Sequence, residues 1–399
     1  MLVAVGYMDP GNWATSMAAG SRYGYSMLWV IALSSGLAML MQAAAARLGL
    51  GARVDLAQAC RLHFTPAVNL ALWVLCEVAI AACCLAEVLG MAIALQLLLH
   101  IPLPAGVLLT VLDTFLILLL LQWGFGRLEA VIVALVGLIA LCFVVQMVWL
   151  SPQWVDVWSG LRPRTATLLD PEQIYLAAGI VGATVMPHNL YLHSAVVQTR
   201  PVGSDIRSRR VAIRVATRDS SVSLALAGLV SAAILILAAG AFHRSQSTPV
   251  DDLAQAFQLL SPALGVGAAS LVFGVALLAS GMSASVTGAL AGQIAMEGFL
   301  KLKMSVPARR VLTRAVAVVP AFFVTLLHGS KGLNELLVFS QVVLSLQLPF
   351  AIFPLLWFTT RKAVMGELAF GRTASRLLWA CGVTITVLNL WMVSKLCAT

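Results

Sequence analysis

Residues 2–20 read LVAVGYMDPGNWATSMAAG and residues 174–197 read IYLAAGIVGATVMPHNLYLHSAVV. Each is a long apolar stretch broken by a proline within a polar cluster: Asp9-Pro10-Gly11-Asn12 in the first, Met186-Pro187-His188-Asn189 in the second. Proline has no N–H to donate and clashes with the preceding turn, so each break frees backbone carbonyls inside an otherwise apolar helix. Irregular backbone at bilayer depth survives only where it faces protein or a water-filled cavity. Two such breaks, at matching places in the two halves of one chain, are the pattern of a substrate site in a secondary transporter.

The rest of the chain agrees with a membrane setting. It is 61% hydrophobic and 10% charged, with a mean hydropathy of +0.96, which excludes an ordinary soluble globular protein. Eleven apolar runs are expected as helices, at 2–20, 27–48, 67–98, 104–122, 128–150, 172–198, 217–242, 267–299, 309–328, 333–359 and 374–396. Such runs suffice to cross roughly 30 Å of hydrocarbon, and none alternates as a barrel strand would. The polar stretches 151–172, 199–216 and 243–262 read as loops. No cleavable leader is expected. The net charge of +9 does not point to nucleic acid, because nineteen of the 25 Lys and Arg residues fall on alternate loops. That bias predicts a cytoplasmic N-terminus and, with an odd number of spans, an external C-terminus. The seven cysteines, at 60, 76, 83, 84, 142, 381 and 397, show neither a disulfide framework nor a zinc pattern and read as free thiols.

Pro10 and Pro187 lie 177 residues apart. If the first and sixth spans each open a repeat, each repeat holds five spans and the eleventh is left over. Five is odd, so the second repeat enters the membrane inverted, and the pseudo-two-fold axis brings the two breaks together near the midplane. The expected organisation is one transport domain over 1–399, with a first repeat at 1–150, a second at 170–360 and an extra span at 374–396. Both breaks read X-Pro-X-Asn, with Gly6 and Gly182 just upstream.

Asp9 offers a hard anionic oxygen, Asn12 a neutral one and Met186 a soft thioether, while the unwound turns add carbonyls, best placed at Gly6 and Ala183. An acid at membrane depth is a functional candidate by default. Thioethers suit softer transition metals and all-oxygen sites suit magnesium and calcium. From the residues alone three readings stand: a dehydrated Mn²⁺-like or Fe²⁺-like ion, an organic solute, or a purely structural kink. Beyond the residues themselves, GYMDPGNWAT and GATVMPHNLYLHSA resemble the signatures of the Nramp family of divalent-metal transporters. The resemblance continues in the family's order through CEVAIAACCLAEVLG, LLASGMSASVTGALAGQ, ARRVLTR and FSQVVLSLQLPF. It implies a leucine-transporter-like fold and proton-linked import of manganese or iron across a bacterial plasma membrane. By that resemblance Asp9, Asn12 and Met186 match metal-binding side chains, Gly6 and Ala183 the carbonyl donors, and Gln341 a glutamine that approaches the metal as the outer side closes.

The remaining intramembrane polar residues keep two readings each. His188, matching the family's Met-Pro-His, and His193 either titrate or sit neutral between helices. Glu77 and Glu87, ten residues apart and so on one helical face, form a proton relay or a structural pair. Arg309, Arg310 and Arg314 continue that relay or are ordinary positive-inside charge. Two departures from the family pattern stand out. Cys84 occupies the position of an acid in a pattern like CDLAE, and a thiol, with a reference pKa of about 8.5, does not hand over protons as a carboxyl does. Only eight residues precede Asp9, about 12 Å of helix, so the start is either clipped or an unusually short half-helix.

The expectation is an all-α importer of divalent transition metals working by alternating access. Metal and protons are its ligands and the bilayer its surroundings, with no resident cofactor, no nucleic acid and no obligate protein partner. The alternatives are a metal uniporter with loose or absent proton coupling, and a cation–solute carrier on the same fold, where Asp9 would repel a substrate carboxylate. An intramembrane hydrolase built on His188 and His193 lacks an HExxH motif or a nucleophile–base pair.

Overall fold

A computed structural model describes residues 6–113, 115–116, 125–203, 205–243, 249–250, 252–302, 306–329 and 332–396, and every regular element among them is helical. In chain order the helices are α1 (Pro10–Tyr23), α2 (Leu28–Ala52), α3 (Leu56–His63), α4 (Pro66–Leu99), α5 (Leu103–Leu109), α6 (Phe125–Leu150), α7 (Trp154–Gly160), α8 (Pro171–Val185), α9 (Pro187–Val196), α10 (Ile206–Phe242), α11 (Leu253–Leu264), α12 (Ala269–Leu300), α13 (Val306–His328), α14 (Leu333–Thr360), α15 (Lys362–Met365) and α16 (Arg372–Leu396). Seven helical segments among the described residues are long and apolar enough to cross a membrane: the run Pro10–Ala52, α4, Gly126–Leu150, α10, α12, α14 and Arg372–Lys395. Part of the expected span 104–122, residues 114 and 117–122, lies outside the described residues.

The packing follows the exchange that an inverted repeat produces. α1 lies on α10 while α8 and α9 lie on α2; α4 lies on α14 while α12 lies on α6; and the self-paired contacts α2–α10 and α4–α12 are extensive. The broken helices therefore sit in the middle. Trp13 on α1 is closed between Phe143 and Phe273, with ring centroids 4.9 and 5.4 Å away. Leu141, Val148, Leu229 and Leu327, each at least 61% exposed, form an outer surface that suits lipid rather than water.

Prolines inside α14 show how freed carbonyls are reused. Pro349 has no N–H for the carbonyl of Ser345, four residues earlier. Asn389 on α16 takes that carbonyl at 2.6 Å, and its Oδ1 accepts from the Ser345 hydroxyl at 2.7 Å. The break thus becomes the bolt that fixes α16 to the bundle.

The three polar stretches read as loops are largely helical, which corrects the sequence expectation. α7 and a short 3-10 turn, Thr165–Leu168, occupy much of 151–172; α10 begins at Ile206; and α11 fills 253–264. N-caps explain two of these starts: Asp205 accepts from Ser208 N at 2.8 Å and Asp252 from Ala254 N at 2.8 Å. The segment before α4 also holds a helix, α3, closed by a capping box between Asp55 and Gln58. Each was hidden because hydropathy reports span cores, not helices that leave the hydrocarbon. The six described cysteines are free, as expected; Cys397 lies outside the described residues.

Candidate functional site

Asp9 joins the 3-10 turn Gly6–Met8 to α1. Its Oδ2 accepts from Gly11 N and its Oδ1 from Asn12 N, both at 3.2 Å. Unpaired N–H groups and the helix dipole favour an anion there, and a carboxylate keeps further lone pairs after accepting both. From α14, Gln341 Nε2 donates to Asp9 Oδ2 at 3.3 Å, while Gln341 Oε1 has no partner. This approach depends on Gly11, because a Cβ built there would stand 1.8 Å from Gln341 Nε2. α8 comes equally close to α14 at Gly182, where a Cβ would stand 2.0 Å from the Gln341 carbonyl oxygen.

Backbone chemistry adds to the side chains. Pro10 gives no N–H to the carbonyl of Gly6, and Pro187 gives none to that of Ala183, each four residues back. Those are the two carbonyls expected as donors. Asn12 Nδ2 donates to Tyr7 O at 2.6 Å and to Ser231 Oγ at 2.8 Å. Only an amide nitrogen can serve a carbonyl in this way, so Oδ1 is the acceptor atom, and it takes one hydrogen bond from Ser16 Oγ at 3.4 Å. Met186 carries the second break with φ 28° and ψ 103°, a conformation that costs a non-glycine residue about 1–3 kcal/mol. Its thioether accepts from Asn189 Nδ2 at 3.4 Å. Asp9, Asn12 and Met186 are all at most 1% exposed, so in this conformation water reaches none of them.

Asn189 escaped the sequence reading. A Cβ built on Gly6 would stand 2.3 Å from Asn189 Nδ2, so this side chain spans the two breaks, and its Oδ1 has no partner. The shared X-Pro-X-Asn pattern was the available signal. His188 and His193 separate clearly. His188 is 1% exposed and neither ring nitrogen has a partner. His193 Nδ1 lies 2.7 Å from Gln42 Oε1, and Gln42 Nε2 donates to the Tyr7 hydroxyl. The amide oxygen can only accept, so Nδ1 carries the His193 proton. His193 is thus a hydrogen-bonded tie between α9, α2 and the first break.

A second polar cluster lies where α4, α12 and α13 meet. Glu87 Oε2 is 3.9 Å from Arg314 Nη1, and its Oε1 accepts from Cys83 Sγ at 3.5 Å. A Cβ on Gly288 would stand 3.0 Å from Glu87 Oε1 and 3.2 Å from Cys84 Sγ, so thiol and carboxylate abut the same glycine of α12. Arg314 Nη2 donates to Asp113 Oδ2 at 2.8 Å and to the Thr110 carbonyl at 3.1 Å. Asp113, four residues beyond the end of α5, was missed as well; it reads as one acid in an apolar run until its arginine is known. Glu77 stands apart from this cluster, half-buried and accepting from Trp73 Nε1 at 3.0 Å on its own helix. The side chains of Arg309 and Arg310 lie outside the described residues.

Comparison with known proteins agrees with this geometry. The sequence matches the Natural resistance-associated macrophage protein-like (Nramp) family over residues 1–395. A divalent metal cation transporter MntH of Bradyrhizobium diazoefficiens is 53% identical over 389 residues, covering 98% of this chain and 86% of that one. Among solved structures, the Eremococcus coleocola manganese transporter in complex with an aromatic bis-isothiourea substituted compound superimposes with a TM-score of 0.90 at 38% identity, over 99% of this chain and 85% of that one. MhsT in complex with L-phenylalanine shares the fold alone, with a TM-score of 0.66 at 14% identity. With two proline-broken helices packed face to face in an all-helical, leucine-transporter-like bundle, the chain belongs to the Nramp family of membrane transporters.

Proposed function

We propose that the chain imports divalent transition-metal ions, Mn²⁺ or Fe²⁺, by alternating access, and that protons are coupled to the movement. One observation carries the reading: a single capped carboxylate, Asp9, sits at one proline-freed turn and the Met186 thioether at the other, both closed from solvent. One anionic charge offsets part of the dehydration of a divalent ion without holding it irreversibly. The Met186 sulfur favours a softer ion over Ca²⁺ or Mg²⁺. The Gly6 and Ala183 carbonyls, Asn12 Oδ1 and the Gln341 amide oxygen would supply the remaining oxygens, and Asn189 Oδ1, which has no hydrogen-bond partner, is a further candidate.

Proton coupling draws support from two sets of buried groups. His188 stands unpartnered beside Met186, and the Glu87–Arg314–Asp113 cluster forms a charged chain in the bundle. The uneven spread of Lys and Arg supports a cytoplasmic N-terminus, and an inward proton gradient would set the direction of metal movement. The test is metal uptake into proteoliposomes with a pH dye in the lumen and Ca²⁺ as competitor. Saturable Mn²⁺ entry that acidifies the lumen is the expected result. Uptake of Ca²⁺ matching that of Mn²⁺ would defeat the metal-filter reading, and Mn²⁺ entry without acidification would leave a uniporter.

A further inference from the structure

We propose that the arginine-rich end of α10 and the turn before it form a docking site for an anionic phospholipid headgroup. α10 has 37 residues, about 55 Å at the helical rise, whereas the hydrocarbon needs only about 30 Å. The surplus lies at the N-terminal end. There, one stripe of the helix points outward at helical spacing: Arg207, Val211, Arg214, Val215, Arg218, Val222 and Leu229, all exposed. The opposite face, with Ile213, Ala216, Ser220, Leu224 and Ala227, is buried. The outward stripe is therefore one continuous surface that starts at lipid-facing Leu229 (68% exposed) and Val222 (70% exposed). It acquires a guanidinium every one or two turns as it leaves the hydrocarbon.

Beside that stripe lies a hollow of about 480 Å³ lined by Arg200, Arg207, Val211 and Val215 among others. A second hollow, of about 330 Å³, adjoins it through Arg200, Pro201 and Val202 and adds Arg53. The guanidiniums of Arg53, Arg200 and Arg207 thus line a groove together with Val202, Val211 and Val215, and the exposed Arg214 stands beside it on the same stripe. That combination fits a phosphate with the upper part of an acyl chain better than it fits a free anion. Two carboxylates are nearby and both are engaged. Asp219 pairs with Arg200 at 2.7 Å, and Asp205 caps α10, where its bonds from Ser208 hold it below the usual carboxylate range. Arg53 Nη2 donates to the Gly203 carbonyl at 3.3 Å, fixing the turn. The proposal rests on the membrane placement of α10 and is independent of the metal site.

The test uses the full chain, delipidated in detergent and offered equal amounts of phosphatidylglycerol and phosphatidylcholine, with retained lipid counted by native mass spectrometry. The expected result is at least a ten-fold preference for phosphatidylglycerol. It should fall to parity in the triple variant Arg53→Gln/Arg207→Gln/Arg214→Gln, since each guanidinium near an anionic surface contributes about a five-fold gain. Arg372→Gln/Arg376→Gln, which lowers charge on exposed arginines elsewhere, should keep the preference. Equal retention of both lipids by the wild type would overturn the proposal. So would equal loss in both variants, which would mean bulk charge alone. If inorganic phosphate stabilised the protein as strongly as phosphatidylglycerol, the groove would be a phosphate site and the lipid assignment wrong. Should the triple variant not fold, Arg207→Lys/Arg214→Lys must retain the preference, because the phosphate attraction is to charge.

Discussion

Asp9 does two jobs with one carboxylate, and they can be separated. As an N-cap it needs only an oxygen that accepts from Gly11 N and Asn12 N, which asparagine also supplies. As the counter-charge of a divalent ion it needs to be ionised. Asp9→Asn should therefore leave thermal unfolding nearly unchanged while Mn²⁺ uptake falls by at least two orders of magnitude, the scale of about 3–5 kcal/mol for stripping one partner from a buried charge pair. Near-normal uptake would remove Asp9 from the site. Met186 carries the other half of the argument. Replacing it with alanine deletes the thioether and relaxes nothing in its backbone, since φ stays at 28°. Mn²⁺ should still bind through oxygens, while discrimination against Ca²⁺ should drop about ten-fold, or about 1.4 kcal/mol. Competition for Mn²⁺ uptake by Ca²⁺ measures it, and an unchanged ratio would make Met186 a packing residue.

Elements in this bundle are held together at the places where their own ladders fail. Pro349 breaks a backbone bond in α14, and Asn389 replaces it from α16 with two buried hydrogen bonds to Ser345. Asn389→Ala would leave the Ser345 carbonyl and hydroxyl unpaired, each costing about 1–3 kcal/mol. Thermal unfolding in detergent should occur several degrees lower while Mn²⁺ affinity is held, because Ser345 and Asn389 make none of the contacts at Asp9. An unaltered unfolding temperature would mean that water or a neighbouring group takes over the freed carbonyl. The same logic explains what was legible in the chain. The two breaks could be read directly, because proline announces the carbonyl it frees. Asn389 and Asp113 could not, because each acquires meaning from a partner at least 44 residues away, and Asn189 had only the shared X-Pro-X-Asn pattern to mark it. The helical starts of α10 and α11 were also hidden, since their capping acids Asp205 and Asp252 sit in polar sequence that reads equally well as loop.

Across the whole molecule, metal and proton would travel by neighbouring but distinct routes, and Cys84 lies where the second route departs from the family pattern. Arg314 holds Glu87 on one side and Asp113 on the other, with distances of 3.9 and 2.8 Å, while the Cys84 thiol stands across Gly288 from the same carboxylate. The tighter contact draws the guanidinium toward Asp113, so the bond that would keep Glu87 ionised is the weaker of the two. Metal uptake should therefore proceed with loose lumen acidification in the wild type. Cys84→Asp would put a second carboxylate beside Arg314 and Glu87, adding a titratable group whose reference pKa is about 3.9 in place of one at about 8.5. The proton-to-Mn²⁺ flux ratio should rise toward one in that variant and fall in Asp113→Asn, where Arg314 is released to hold Glu87 permanently charged. Both variants should bind Mn²⁺ as the wild type does, because neither residue touches Asp9 or Met186. Equal ratios near one in the wild type and Cys84→Asp would mean that Asp9 and His188 already carry the proton, and that the cluster around Arg314 serves only to hold α4, α5 and α13 in place.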